Sequence, residues 1–107
     1  MTEAQIQKEI VVFMKTLGFA CWETSQGYRK ERGGTRMTPG IPDLYFIGHG
    51  LGLWCEVKRP KGKLTEAQEL FQQECWDNGI LHQVWRDVRD AFDWMVRQGF
   101  IEEGVQL

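Results

Sequence analysis

Asp43 follows Pro42, and Glu56-Val57-Lys58 comes after an interval of twelve residues. Two carboxylates and one amine at that spacing could do phosphodiester chemistry. Side chains alternate along a strand, so Glu56 and Lys58 share one face while Cys55 and Val57 take the other. Two carboxylates a few ångströms apart repel one another unless a cation lies between them. Magnesium suits such a pair because it prefers oxygen ligands and keeps several waters. Bound there, it would polarise a phosphate, and a nearby ammonium could orient the attacking water or offset developing charge. The plain alternative is a same-face ion pair between Glu56 and Lys58, with Asp43 capping a turn. A Glu-x-Lys triplet alone does not separate the two readings.

The elements needed to position these residues are legible around them. Asp43 to Ile47 reads as a strand, Gly48-His49-Gly50 as a turn, and Leu53 to Lys58 as the hairpin partner. Upstream, Thr2 and Gln5 form a capping-box pattern, and Ile6, Ile10, Phe13 and Leu17 recur at helical spacing until Gly18. Phe19 to Trp22 is a short strand, and the polar, glycine-bearing stretch from about Ser25 to Gly40 is a long loop. After Pro60-Lys61-Gly62, Thr65 caps a second helix that runs to about Asn78-Gly79, with Gln68 completing another capping box. Ile80 to Trp85 is a strand, and Asp87 and Asp90 open a last helix carrying Phe92, Met95 and Val96. Without an internal repeat or a composition break, residues 1–107 read as one α/β domain. Its order is α-β-β-β-α-β-α, a small mixed sheet flanked by helices.

Composition agrees with a globular protein, at 42% hydrophobic residues with five Trp. Cys21, Cys55 and Cys75 are odd in number and scattered, so they read as free thiols in a reducing cytoplasm. No apolar run approaches a membrane span and the first residues do not resemble a signal peptide, so the expected location is cytoplasmic. The formal charge of −2 conceals an asymmetry. Residues 28–63 carry eight of the thirteen basic residues and three acids, and two of those acids are Asp43 and Glu56. A basic surface around a small acidic centre suits a polyanion.

Gly40-Ile41-Pro42-Asp43, Glu56-Val57-Lys58 and Gly62-Lys63-Leu64-Thr65-Glu66-Ala67-Gln68 together resemble the virus-type replication-repair nuclease (VRR-NUC) family of the PD-(D/E)XK superfamily. The resemblance extends from Glu3 to about Arg86 and is strongest to stand-alone, phage-type members. It implies a restriction-endonuclease-like core and a DNA endonuclease dependent on Mg²⁺ or Mn²⁺. Asp43, Glu56 and the Val57 carbonyl would be metal ligands, and Lys58 would position the attacking water. It also implies a homodimer acting on branched DNA such as four-way (Holliday) junctions, in the host cytoplasm if phage-encoded. A less selective nuclease or nickase, and a non-catalytic DNA-binding module on the same fold, are the alternatives.

The same resemblance places an acid on the first helix, here Glu3. At about 100° per residue, Glu3 lies roughly 40° from the stripe of Ile6, Ile10 and Leu17, so it is expected to point inward. Complementing the helix dipole is its plain alternative. Gln7 is expected to join Glu3 through a water. Gln68 is either a capping residue or a site residue. The strand segment Cys21 to Ser25 lacks the basic residue often found there in relatives.

Arg29, Lys30, Arg32 and Arg36 before the site, and Arg59, Lys61 and Lys63 after it, are the candidate phosphate contacts. Tyr28 reads as a loop anchor. His49 and His82 have no evident catalytic partner. Trp54, Trp76, Trp85 and Trp94 read as core or dimer-interface residues rather than stacking platforms.

Overall fold

The computed structural model describes residues 1–24 and 38–107. Helix α1 (Glu3–Thr16) begins at the Thr2 and Gln5 capping box and turns its apolar stripe of Ile6, Ile10 and Met14 into the core. It leads through Gly18 and Phe19 into strand β1 (Ala20–Glu23). Strands β2 (Leu44–Gly48) and β3 (Leu51–Val57) form the expected hairpin. Helix α2 (Glu66–Asp77) carries the second capping box and crosses to strand β4 (Leu81–Trp85). Helix α3 (Val88–Arg97) is capped by Asp87, whose side chain accepts from the Asp90 N–H.

The sheet runs β1-β2-β3-β4, with the first two pairings antiparallel and the last parallel. A parallel partner needs a crossover, and α2 supplies it. The element order and the mixed sheet are those expected.

The two faces of the sheet differ. Leu44, Phe46, Leu53, Cys55, Val57 and Trp85 point to one face, where α1 and α3 close over them with Ile10, Met14, Trp94 and Met95. This is the hydrophobic core. The opposite face carries Tyr45, Trp54 and His82 in cross-strand register. Helix α2 covers only its β3–β4 half, where Phe71 meets Trp54 edge-on at 5.4 Å. Trp85 and Trp94 are core residues as expected, whereas Trp76 is 53% exposed. It sits near the end of α2 and uses its indole N–H to bond the His82 carbonyl at 3.1 Å. All three cysteines are free. Among the described residues, no helix is long and apolar enough to cross a membrane.

Candidate active site

The β2–β3 register brings the two carboxylates together. Leu44 pairs with Cys55, so Asp43, one residue ahead of β2, stands opposite Glu56. The pair is locked reciprocally. The Val57 N–H donates to Asp43 Oδ2 at 3.0 Å, and the Asp43 N–H donates to Glu56 Oε2 at 3.3 Å. Asp43 lies one residue ahead of β2: its carbonyl still accepts from the Thr24 N–H at 3.0 Å, while its own N–H serves the neighbouring carboxylate.

Glycine-dependent packing ties this lock to α2. Gly40 has φ 96°, and a Cβ there would collide with the Ala67 carbonyl. The Gly40-Ile41-Pro42 run thus lies against the first turn of α2, which delivers Gln68 to the site. The Gln68 amide is used at both ends. Its oxygen accepts from the Thr65 N–H at 2.9 Å and completes the helix cap, while its Nε2 donates to Glu56 Oε1 at 2.5 Å. Capping and site contact are simultaneous, and together they fix which end of the amide faces which partner.

Lys58 follows on the same face as Glu56. Its Nζ lies 3.8 Å from Glu56 Oε1, with the side chain 13% exposed. The ion pair that would be the plain reading of Glu-x-Lys exists, but it is one edge of a larger cluster.

Glu56 is 3% exposed. Burial, reinforced by the adjacent Asp43 carboxylate, pushes its carboxyl up to about 7, against the pull of Lys58. Burial raises Asp43 as well, opposed by the hydrogen bond from Val57 and supported by the charge of Glu3. Two carboxyls that hold protons this tightly are short of positive charge. A pair of carboxylates is a donor set that fits a hard divalent cation.

Glu3 is not buried as expected: it is exposed. Its azimuth agrees with the expectation, within roughly 20° of the observed stripe at about 100° per residue. Its depth does not, because the first turn of α1 projects past the core, beyond Ile6. Its charge is still near enough to raise Asp43. Among the described residues, no three His, Cys, Asp or Glu side chains gather at metal-binding range, so Glu3 does not close a three-carboxylate cluster. Gln7 does not turn to Glu3 either. Its Nε2 donates to Glu23 Oε1 at 3.0 Å, joining α1 to the end of β1.

Arg59, Lys61 and Lys63 are exposed beyond Lys58, and the first two line an open cavity of about 470 Å³ with Pro60 and Gly62. Tyr28, Arg29, Lys30, Arg32 and Arg36 lie outside the described residues. His82 is buried, bonded through Nδ1 to Gln72 Nε2 at 3.2 Å and held below its ordinary value by burial, so its role is packing. The sequence reading missed Glu23 as the partner of Gln7. It also missed Arg86, whose guanidinium bonds the backbone of the turn after Lys58. Neither contact has a sequence signature, because one is set by helix docking and the other uses main-chain carbonyls.

The architecture is a small α/β domain, a mixed four-stranded sheet flanked by helices. Among solved structures it matches a VRR_NUC domain with a TM-score of 0.68, over 91% of this chain and 96% of that one, at 20% sequence identity. The fold is therefore the one that the sequence motifs suggested. No family model and no curated protein matches the chain.

Proposed function

We propose that the chain is a divalent-metal-dependent DNA endonuclease. The observation that carries this reading is the reciprocal lock of Asp43 and Glu56, two carboxyls forced together beside Lys58. A domain that only binds DNA gains nothing from two converging acids, since they oppose its polyanionic partner. The shared fold with a VRR_NUC domain supports the same reading.

Asp43, Glu56 and the Val57 carbonyl would hold Mg²⁺ or Mn²⁺, which supplies charge stabilisation to the scissile phosphate. Gln68 holds the Glu56 carboxylate in orientation through its Nε2–H. Lys58 presents its ammonium to the attacking water and to the charge that develops on the phosphate. Glu3 adds a carboxylate at the mouth of the site. Arg59, Lys61 and Lys63, with Arg29, Lys30, Arg32 and Arg36, contact backbone phosphates. The substrate is branched DNA such as a four-way junction, and a homodimer of this single domain would present two symmetry-related sites for paired cuts.

The test uses labelled four-way junction, duplex and single-stranded DNA with Mg²⁺, Mn²⁺ or EDTA, and the variants Asp43→Asn, Glu56→Gln and Lys58→Ala. Preferential junction cutting that needs the metal and is lost in all three variants supports the full proposal. Equal cutting of all substrates leaves the chemistry standing and removes the selectivity. Binding without metal-dependent cutting rejects the enzyme. Light scattering of the free protein decides the dimer.

A further inference from the structure

We infer that Arg86 is a positioning residue that acts through Lys58: its guanidinium clamps the turn after Lys58, and that turn forms the wall against which the lysine stem rests. Arg86 Nη1 donates to the Arg59 carbonyl at 2.8 Å and to the Gly62 carbonyl at 2.6 Å, with the Pro60 carbonyl at 3.3 Å. The Gly62 N–H closes the same turn on the Arg59 carbonyl at 2.9 Å. Three carbonyls of one tight turn thus converge on a single cationic nitrogen, and a charged donor makes such bonds stronger than neutral ones.

The turn in turn flanks the lysine. A Cβ on Gly62 would stand 3.6 Å from Lys58 Cδ, so the lysine stem passes alongside the Gly62 end of the turn. Both ends of the clamp are anchored in regular structure. The Lys58 N–H donates to the Trp85 carbonyl at 3.1 Å, extending the parallel β3–β4 pairing to the residue before Arg86. The Arg86 N–H donates to Asp90 Oδ2 at 2.8 Å, in the first turn of α3. Among the described residues, no carboxylate lies within ion-pair distance of the Arg86 guanidinium. Its charge is spent on carbonyl dipoles, which marks a backbone organiser rather than a salt-bridge partner.

Without the clamp, the turn between Arg59 and Gly62 is held by one backbone hydrogen bond, and the lysine stem loses a fixed wall. Lys58 would then leave Glu56 Oε1 and sample solvent. Misplacement of a catalytic group by about 1 Å is enough to cost up to about a hundredfold in rate.

The activity arm of the test rests on the nuclease reading; the reactivity arm does not. Arg86→Ala removes the clamp, and Arg86→Lys keeps the charge but shortens the reach. Each variant is acetylated with an N-hydroxysuccinimide ester, and modification of Lys58 is measured by mass spectrometry against Lys8 on the exposed face of α1. The expected result is a rise at Lys58 of about fivefold or more with Lys8 unchanged, larger in Arg86→Ala than in Arg86→Lys. In DNA cutting, kcat falls about tenfold to a hundredfold while KM stays within about twofold. Unchanged Lys58 reactivity in both variants overturns the inference, as does a parallel rise at Lys8, which would signal general loosening. A raised KM at constant kcat, restored by Arg86→Lys, also overturns it by making Arg86 a phosphate contact. If the parent protein cuts no DNA, the function proposal fails, and Lys58 acetylation still decides the role of Arg86.

Discussion

The β2–β3 hairpin ends in polar groups at both its turn and its open end, and the two ends are built on opposite principles. At the turn, His49 and Gly50 have φ 51° and 79°, the two positive values that a tight right-twisted hairpin requires. The His49 ring packs between Phe19 and Phe100 at 5.0 and 5.1 Å. Its Nε2–H donates to the Leu17 carbonyl at 2.6 Å, at the electronegative end of α1. Each group there meets a complementary partner. At the open end, Asp43 and Glu56 meet partners of their own kind, and burial raises the proton affinity of both. A polar cluster of complementary groups holds a fold together. A cluster of like groups costs stability and persists where it has another task.

The sharpest way to break the comparison is to neutralise each end. Asp43→Asn and Glu56→Gln are expected to reduce cutting by roughly a thousandfold. Each keeps an oxygen where the Val57 or Asp43 N–H donates, so Asp43→Asn should melt at or above the parent above neutral pH, whereas Glu56→Gln turns its amide N–H₂ toward Gln68 and Lys58 and should melt close to the parent. His49→Ala should do the reverse, losing about 1–2 kcal/mol and leaving cutting intact. Activity assays beside denaturant melts check both halves. A large stability loss in Glu56→Gln would remove the distinction between the ends.

A second measurement sharpens it through pH. The native state holds the Glu56 proton up to about 7, whereas the unfolded chain releases it near the ordinary 4.5. Between those values the native state binds more protons, so this contribution to stability is present at low pH and is lost as pH rises toward about 7. His82 works in the opposite direction, because burial holds it below its ordinary 6.5. The difference between the parent and Glu56→Gln isolates the carboxylate. Relative to that variant, the parent should lose roughly 5 °C of melting temperature from about pH 5 to about pH 8. Mg²⁺ or Mn²⁺ should restore most of the loss at the higher pH, and EDTA should bring it back.

Much of this arrangement was legible in the sequence because its signals are local. The capping boxes of Thr2 and Thr65, the Asp87 cap and the Gly48-His49-Gly50 turn each depend on residues within a few positions of one another. The sequence put Asp43 and Glu56 on one hairpin but left its register open; the pairing of Gly48 with Leu51 across a two-residue turn sets it. Contacts set by docking were not legible. Glu3 has the azimuth that helical periodicity gives, but how far α1 projects past the sheet is a tertiary quantity. The bond from Gln7 to Glu23 depends on that same docking. Trp76 was read as a core or dimer-interface residue, and its exposure in the single chain removes the first of these. The Gly40–Ala67 contact and the Arg86 clamp meet backbone atoms, which every residue has and no residue type announces.

The smallest expected effects come from the two capping boxes, which repeat the contrast at a finer scale. Thr2 with Gln5 and Thr65 with Gln68 make the same pair of bonds, at 2.7 and 3.1 Å in the first box and at 2.9 and 3.2 Å in the second. Gln5 is exposed, and its amide nitrogen has no partner among the described residues, while that of Gln68 reaches Glu56. Alanine at either position should cost about 0.5–1 kcal/mol, since each removes one reciprocal cap. Glutamate separates the two roles, because it caps as well as glutamine at the third helical position. Gln5→Glu should leave stability and cutting unchanged. Gln68→Glu preserves the helix cap but replaces a donor with a third carboxylate against Glu56, which raises the proton affinity of Glu56 further. Cutting should then fall about tenfold near neutral pH and recover partly at higher pH, where the added proton is lost. A Gln68→Glu protein that cuts at the parental rate across that range would confine Gln68 to its helix and leave Lys58 as the sole side chain steadying Glu56.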